Sequence, residues 1–222
     1  MALEGLGWTR IATGDWSWVL ASPDGTRAAR VTPWDAAYRL HAELCRTAPS
    51  RYLQRVDAIL PLGALGHVVV MVRLFPAPAD AAARLCASIG LRGDSGWQPP
   101  DGIDLGGLDA DPDIVALRSQ LAAAAARGAA TLPFWGGYDI RPANVMADAA
   151  GGLKLVDPFF IAGPKIIAAI VARDRAALQR LPEGALAAFF SIPPFASGAG
   201  ELGEAAAEMG LLGGVAATAA GS

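Results

Sequence analysis

Residues 134–163, FWGGYDIRPANVMADAAGGLKLVDPFFIAG, decide how this chain is read. They carry an acid, Asp139, then an amide, Asn144, with four residues between them. A second acid, Asp157, follows after twelve more residues, on the apolar run LKLVD. The intervening MADAAGGLK reads as a strand, a Gly-Gly turn and a second strand. Such a hairpin brings Asn144 and Asp157 to neighbouring ends of two paired strands, with Asp139 on the loop just before. Three hard oxygen donors then converge on one point, which suits Mg²⁺ and phosphate rather than a softer metal. Taken singly, the three residues also serve as a surface turn, a helix cap and a strand-end acid.

The pattern D-x-x-x-x-N followed by D-P-F resembles the catalytic loop and metal motif of the protein-kinase-like fold. It is most similar to small-molecule phosphotransferases of the aminoglycoside type and to short bacterial and phage kinase-like proteins. The resemblance implies that Asp139 orients or deprotonates an attacking hydroxyl, that Asn144 holds Mg²⁺, and that Asp157 bridges Mg²⁺ to the phosphates of ATP or another nucleoside triphosphate. Arg141, inside the loop, stands where many protein kinases place a lysine that steadies the transferring phosphate; it either supplies that charge or is simply exposed. Gly137 and Tyr138 replace the residue that props the loop from behind, leaving Tyr138 or Trp135 to pack there. Phe159 replaces the glycine of the metal motif, which argues against a mobile activation switch.

Composition sets bounds. A chain of 222 residues forms one large domain or two small lobes. Its hydrophobic content of 53% comes largely from alanine. The most apolar stretch, HVVVMVRLF, is interrupted by Arg73 and too short to cross a bilayer. The start, MALEGLGWTRIATGDW, lacks the layout of a secretion signal. Cys45 and Cys86 lack metal or redox spacing and read as buried thiols, so the expected location is the cytoplasm. A formal charge of −3 gives no footprint for nucleic acid.

Residues 7–31 alternate apolar and polar side chains around a Pro-Asp-Gly turn at 23–25, a hairpin signal. Strands follow at 56–62 and 67–74, with the helical spacing of DAAYRLHAELCRTA between. Three strands, a helix and two strands resemble the small lobe of a kinase. On that resemblance residues 11–20 fold over the phosphates with Gly14 as their one glycine, Arg30 takes the place of the phosphate-binding lysine, and Glu43 is its helix partner. Val72 and Leu74 would present the backbone groups that bond adenine, just before the linker Phe75-Pro76-Ala77-Pro78. Arginine keeps the charge but is longer and forked. Either Arg30 serves the phosphates in an altered geometry, or transfer is weakened or lost.

Helices are expected at 79–91 and 112–128, separated by a loop at 92–111 long enough to be functional. Within it Gly93-Asp94-Ser95-Gly96 resembles the nucleophile segment of trypsin-like proteases. The chain has only two histidines, His41 on a helix and His67 at a strand start, and no all-β pattern, which excludes that chemistry. A helix from Pro164, burying Ile167, Ile170, Val171 and Leu178, and a second one in EGALAAFFSI close the chain before a Gly- and Ala-rich end.

The expected fold is therefore α+β and two-lobed: a small antiparallel-sheet lobe at 1–75, a reduced, mainly helical lobe at 76–195 carrying residues 134–163, and a tail at 196–222. The expected activity is ATP- and Mg²⁺-dependent phosphoryl transfer to a hydroxyl-bearing acceptor, a small molecule by the shortness of the helical lobe. The alternative is a pseudokinase that binds nucleotide or protein without catalysis. Neither the acceptor nor the oligomeric state is legible, and no nucleic acid or membrane partner is expected.

Overall fold

The computed structural model describes residues 2–48, 50–91 and 97–212. The protease-like Gly93–Gly96 segment and the final VAATAAGS lie outside them. A short helix α1 (Ala2–Gly5) leads into strands β1 (Thr9–Thr13), β2 (Trp18–Ala21) and β3 (Arg27–Thr32), then helix α2 (Ala36–Thr47) and strands β4 (Val56–Leu62) and β5 (Gly66–Val72). The five strands form one antiparallel sheet in the order β1-β2-β3-β5-β4. The β2–β3 turn is the expected one: Gly25 takes a positive φ of 70°, and the Asp24 carboxylate accepts from the Ser22 and Thr26 hydroxyls at 2.5 and 2.9 Å. In α2 the helical repeat turns Ala37, Tyr38, His41, Leu44 and Cys45 inwards against the sheet.

The chain continues through β6 (Phe75–Pro76), α3 (Ala79–Ile89), α4 (Pro112–Thr131), β7 (Trp135–Tyr138), β8 (Val145–Ala147), β9 (Leu153–Leu155) and β10 (Phe159–Ile161). Helices α5 (Gly163–Val171), α6 (Arg175–Leu178), α7 (Ala185–Phe189) and α8 (Gly200–Glu208) complete it. Leu85 and Ile89 of α3, Ile114, Leu117 and Leu121 of α4 and Ile166 and Ile170 of α5 are buried in one core cluster with Phe159. Each such side chain contributes about 2 kcal/mol by leaving water. The mixed α+β, two-lobed arrangement expected from the sequence is the one observed.

Three details differ from the expectation. The helix begun at Pro164 stops at Val171, because Arg173 adopts a φ of 54° and Asp174 starts a new cap on Ala177 N–H. That break leaves Val171 outside at 69% exposure, while Ile166 takes its place inside. And residues 200–208 of the supposed tail form α8, which packs on α5 with Ala206 fully buried.

The segment between α2 and β4 belongs to both halves. Leu53 bridges to Leu155 of β9, Leu155 N–H donates to Tyr52 O at 2.8 Å, and Lys154 Nζ donates to Arg51 O at 2.5 Å. Tyr52 Oη donates at 2.7 Å to Asp111, which caps α4 through Asp113 N–H. No helix among the described residues is long and apolar enough to cross a membrane.

Candidate functional site

The hairpin forms as its sequence requires, with Val145, Met146 and Ala147 facing Leu155, Lys154 and Leu153. Asp148 closes the turn by accepting from Ala150 and Gly152 N–H at 3.0 and 2.8 Å. At the other end of the hairpin Val156 N–H donates to Asn144 O at 3.0 Å, which fixes Asn144 beside Asp157. The Asn144 amide nitrogen donates to Asp139 O at 2.7 Å, Asp139 Oδ2 at 2.8 Å and Asp157 O at 3.0 Å. Two N–H groups thus serve three acceptors, and the amide oxygen is left pointing away from them. Asp139 is placed from behind: its N–H donates to Pro158 O at 2.8 Å, continuing the β7–β10 pairing. Trp135 and Tyr138 both pack on Phe159, at ring separations of 5.4 and 5.9 Å, filling the space the sequence assigned to one of them. Gly137 supplies a φ of 91° immediately before Tyr138, a conformation any side chain would strain.

Arg141 turns back on the loop, its Nε 3.1 Å from Asp139 Oδ1. Both Asp139 oxygens are therefore engaged, yet a carboxylate has about four acceptor positions and can still receive a hydroxyl proton.

Arg30 joins the two halves. Nη1 donates to Asp157 Oδ2 at 2.8 Å and Nη2 to Asp35 Oδ2 at 3.0 Å. The guanidinium lies over the Tyr38 ring, 3.6 Å from its centre. Only 11% of the side chain reaches solvent, and its Nε has no hydrogen-bond partner. Burial alone would weaken this cation; Asp157 and Asp35 more than offset it and hold the guanidinium charged. Burial pushes the Asp35 carboxyl up to about 6, against the pull of Arg30 and with the repulsion of Asp157. Burial raises Asp157 in the same direction, again opposed by Arg30. Two carboxylates thus share one cation.

The partner of Arg30 is not Glu43. That carboxylate lies outside, 46% exposed, 3.1 Å from Arg39 one helical turn away. Arg30 pairs instead with Asp35, the residue just before α2, which also caps the helix by accepting from Tyr38 N–H at 2.9 Å. The sequence does show Asp35 as a cap, directly before the helical repeat; nothing in it separates a cap from an ion-pair partner.

Gly14, Arg30, Asp139, Arg141, Asn144 and Asp157 all line one cleft of about 680 Å³ between the two halves. Val72 and Leu74 do not. Val72 N–H donates to Arg55 O and Arg73 N–H to Thr26 O, and the chain then pairs with β8 through Phe75 and Pro76. Both residues line a second cavity of about 610 Å³, with Cys45, Asp57 and Lys154. Trp16, within the expected phosphate loop but singled out by no motif, lines the cleft and packs at a tilt on Phe189 at 5.5 Å and edge-on against Trp34 at 5.8 Å. His41, Cys45, His67 and Cys86 are buried and stay neutral: burial takes the imidazoles down to about 3 and about 4 and the thiols up to about 12.

The donor set fits Mg²⁺ better than a dedicated protein cage. Among the described residues no group of three His, Cys, Asp or Glu side chains could hold a metal alone. Asp157, engaged by Arg30 through Oδ2, and the Asn144 amide oxygen are two hard donors. That is the small protein share usual for Mg²⁺, which takes its other ligands from water and phosphate.

No protein-family model matches the chain, and no curated protein sequence does. Solved structures similar to it include the following two. One is a chain of the CAK complex from Chaetomium thermophilum bound to ATP-γ-S, at 14% identity and a TM-score of 0.38, covering 72% of this chain and 48% of that one. The present chain thus spans about half the length of that protein. The other is an aminoglycoside phosphotransferase from Streptomyces rimosus, at 15% identity and a TM-score of 0.32, covering 83% and 85%. At such scores neither likeness carries an argument about the chemistry, which rests on the geometry above.

Proposed function

We propose that the chain binds a nucleoside triphosphate in the cleft and transfers its terminal phosphoryl group to a hydroxyl of a small molecule. The observation that supports this most is the convergence of Asp139, Asn144, Asp157 and Arg30 on one cleft from three separate segments of the chain. Asp139 receives the acceptor's proton or orients its hydroxyl, the acceptor oxygen bonds to the terminal phosphorus, and the bridging P–O bond breaks to release the nucleoside diphosphate. Arg30 stabilises charge on the phosphates, and Arg141, at the cleft mouth, does so for the transferring group. Mg²⁺ held by Asp157 and Asn144 would neutralise phosphate charge. Catalysis of this kind is mostly positioning and charge, which few residues can supply.

A second reading, a nucleotide-binding module without turnover, is favoured by two observations. Arg30 already neutralises Asp157, and the Val72 N–H that would meet adenine is committed to Arg55. Melting with and without Mg²⁺ and ATP separates the readings, since saturating ligand stabilises by ~2.7 kcal/mol at a hundredfold excess over Kd. The transferase reading expects a rise in Tm that Asp157→Ala abolishes, and turnover that Asp139→Asn reduces at least ~100-fold while keeping the rise. A rise without turnover supports the binding module; full activity in Asp139→Asn overturns the assignment.

A further inference from the structure

Arg30, Asp35, Asp139 and Asp157 lie together, whereas every residue that lines the cleft after Asp157 is apolar or glycine. That apolar wall is built by α5, α7 and the turn after it, chiefly Ile167, Phe189, Ile192, Pro194 and Phe195. It is packed in advance: the Phe189 and Phe195 rings lie 5.1 Å apart, and Phe190 braces both at 5.7 and 5.4 Å. Trp16 closes it from the opposite half.

We infer that the acceptor is an uncharged alcohol or phenol with an apolar ring body, which lies on this wall and points its hydroxyl at Asp139. This rests on the transferase reading and names the substrate class for it. A polycationic amino sugar would need carboxylates along the body-binding wall, and the described residues that line the cleft after Asp157 carry none. A polyanionic acceptor would meet Asp15, Asp139 and Asp157, which line the same cleft. An apolar ring instead gains from leaving water and from edge or face contact with Phe195 and Trp16. The reaction balances as acceptor hydroxyl plus nucleoside triphosphate giving a phosphate monoester, nucleoside diphosphate and one proton.

Equilibrium dialysis of the full chain against naphthaleneethanol and against kanamycin tests the wall without any need for turnover. Naphthaleneethanol is expected to bind saturably and kanamycin not. Ile167→Asp and Phe195→Asp should each weaken naphthaleneethanol at least ~10-fold, since a buried charge replaces apolar contact. Circular dichroism melting confirms that each variant is folded, and Phe195→Ser replaces either one that is not. Binding of kanamycin in preference, no binding of naphthaleneethanol, or unchanged binding in folded variants overturns the inference. If naphthaleneethanol binds as expected but ATP with Mg²⁺ neither stabilises the chain nor is consumed, the transferase reading fails and the apolar site stands.

Discussion

Replacing Arg30 by methionine removes the cation but keeps much of the bulk that covers Tyr38. Asp35 and Asp157 are then left together without the charge that both now share. Removing one partner of a buried ion pair costs ~3–5 kcal/mol. Asp35, with 6% of its side chain exposed, has no route to water, whereas Asp157, at 30%, regains part of its hydration. The loss should therefore sit near the lower bound, about 3 kcal/mol at about pH 7. The pH dependence gives the sharper test. The Asp35 carboxyl is raised to about 6 in the folded protein, above its value of about 3.9 in an unfolded chain. Between those values the native state holds more protons, so stability is highest at the acid end and falls as pH rises through the window. Without Arg30, which pulls that value down, the window extends upward and the carboxyls protonate sooner. Urea unfolding followed by circular dichroism should show the deficit of Arg30→Met shrinking to about half at about pH 5. A deficit equal at both pH values, or below about 1 kcal/mol at neutrality, would refute the shared-cation account.

Glu43→Ala, by contrast, should change stability by no more than about 0.5 kcal/mol and leave nucleotide binding untouched, because it removes only an exposed pair with Arg39; a large loss of ATP stabilisation would restore Glu43 to the site. Gly136→Ala puts a methyl group against the Phe160 ring, well inside contact distance, and should cost about 1–3 kcal/mol in urea unfolding. The same change should lower turnover more than Glu43→Ala does, since β7 and β10 hold Asp139 through Pro158 O.

Legibility followed the range of the interactions. The hairpin carrying Asn144 and Asp157 was readable because a Gly-Gly turn and two strand runs lie within a dozen residues, where local propensity and tertiary structure agree. The β2–β3 turn and α2 were readable for the same reason. Glu43 was misassigned because the pairing it was given depends on how far a side chain reaches across two elements. Asp35, Arg30 and Asp157 are brought together by long-range packing, with Arg30 and Asp157 separated by 127 positions in the chain. Val72 misled in another way. Its strand was correctly placed, but whether a backbone N–H is free depends on the neighbour it meets, here Arg55 O. The aromatic wall of Phe189 and Phe195 was invisible because apolar residues in a short helix announce a core without naming what they face.

The attachment of the α2–β4 segment to β9 has a mechanical consequence. Two halves joined by one flexible tether can separate, twist and slide. Here they are joined along several lines: the linker at 73–78, the Tyr52–Leu53 contacts with Leu155 reinforced by Lys154 and Asp111, the packing of α2 on α4 and β10, and the ion pair of Arg30 with Asp157. A body fastened along several lines has no free hinge. The floor of the cleft is thereby held at a set width, and a ligand must fit the space the two halves already leave.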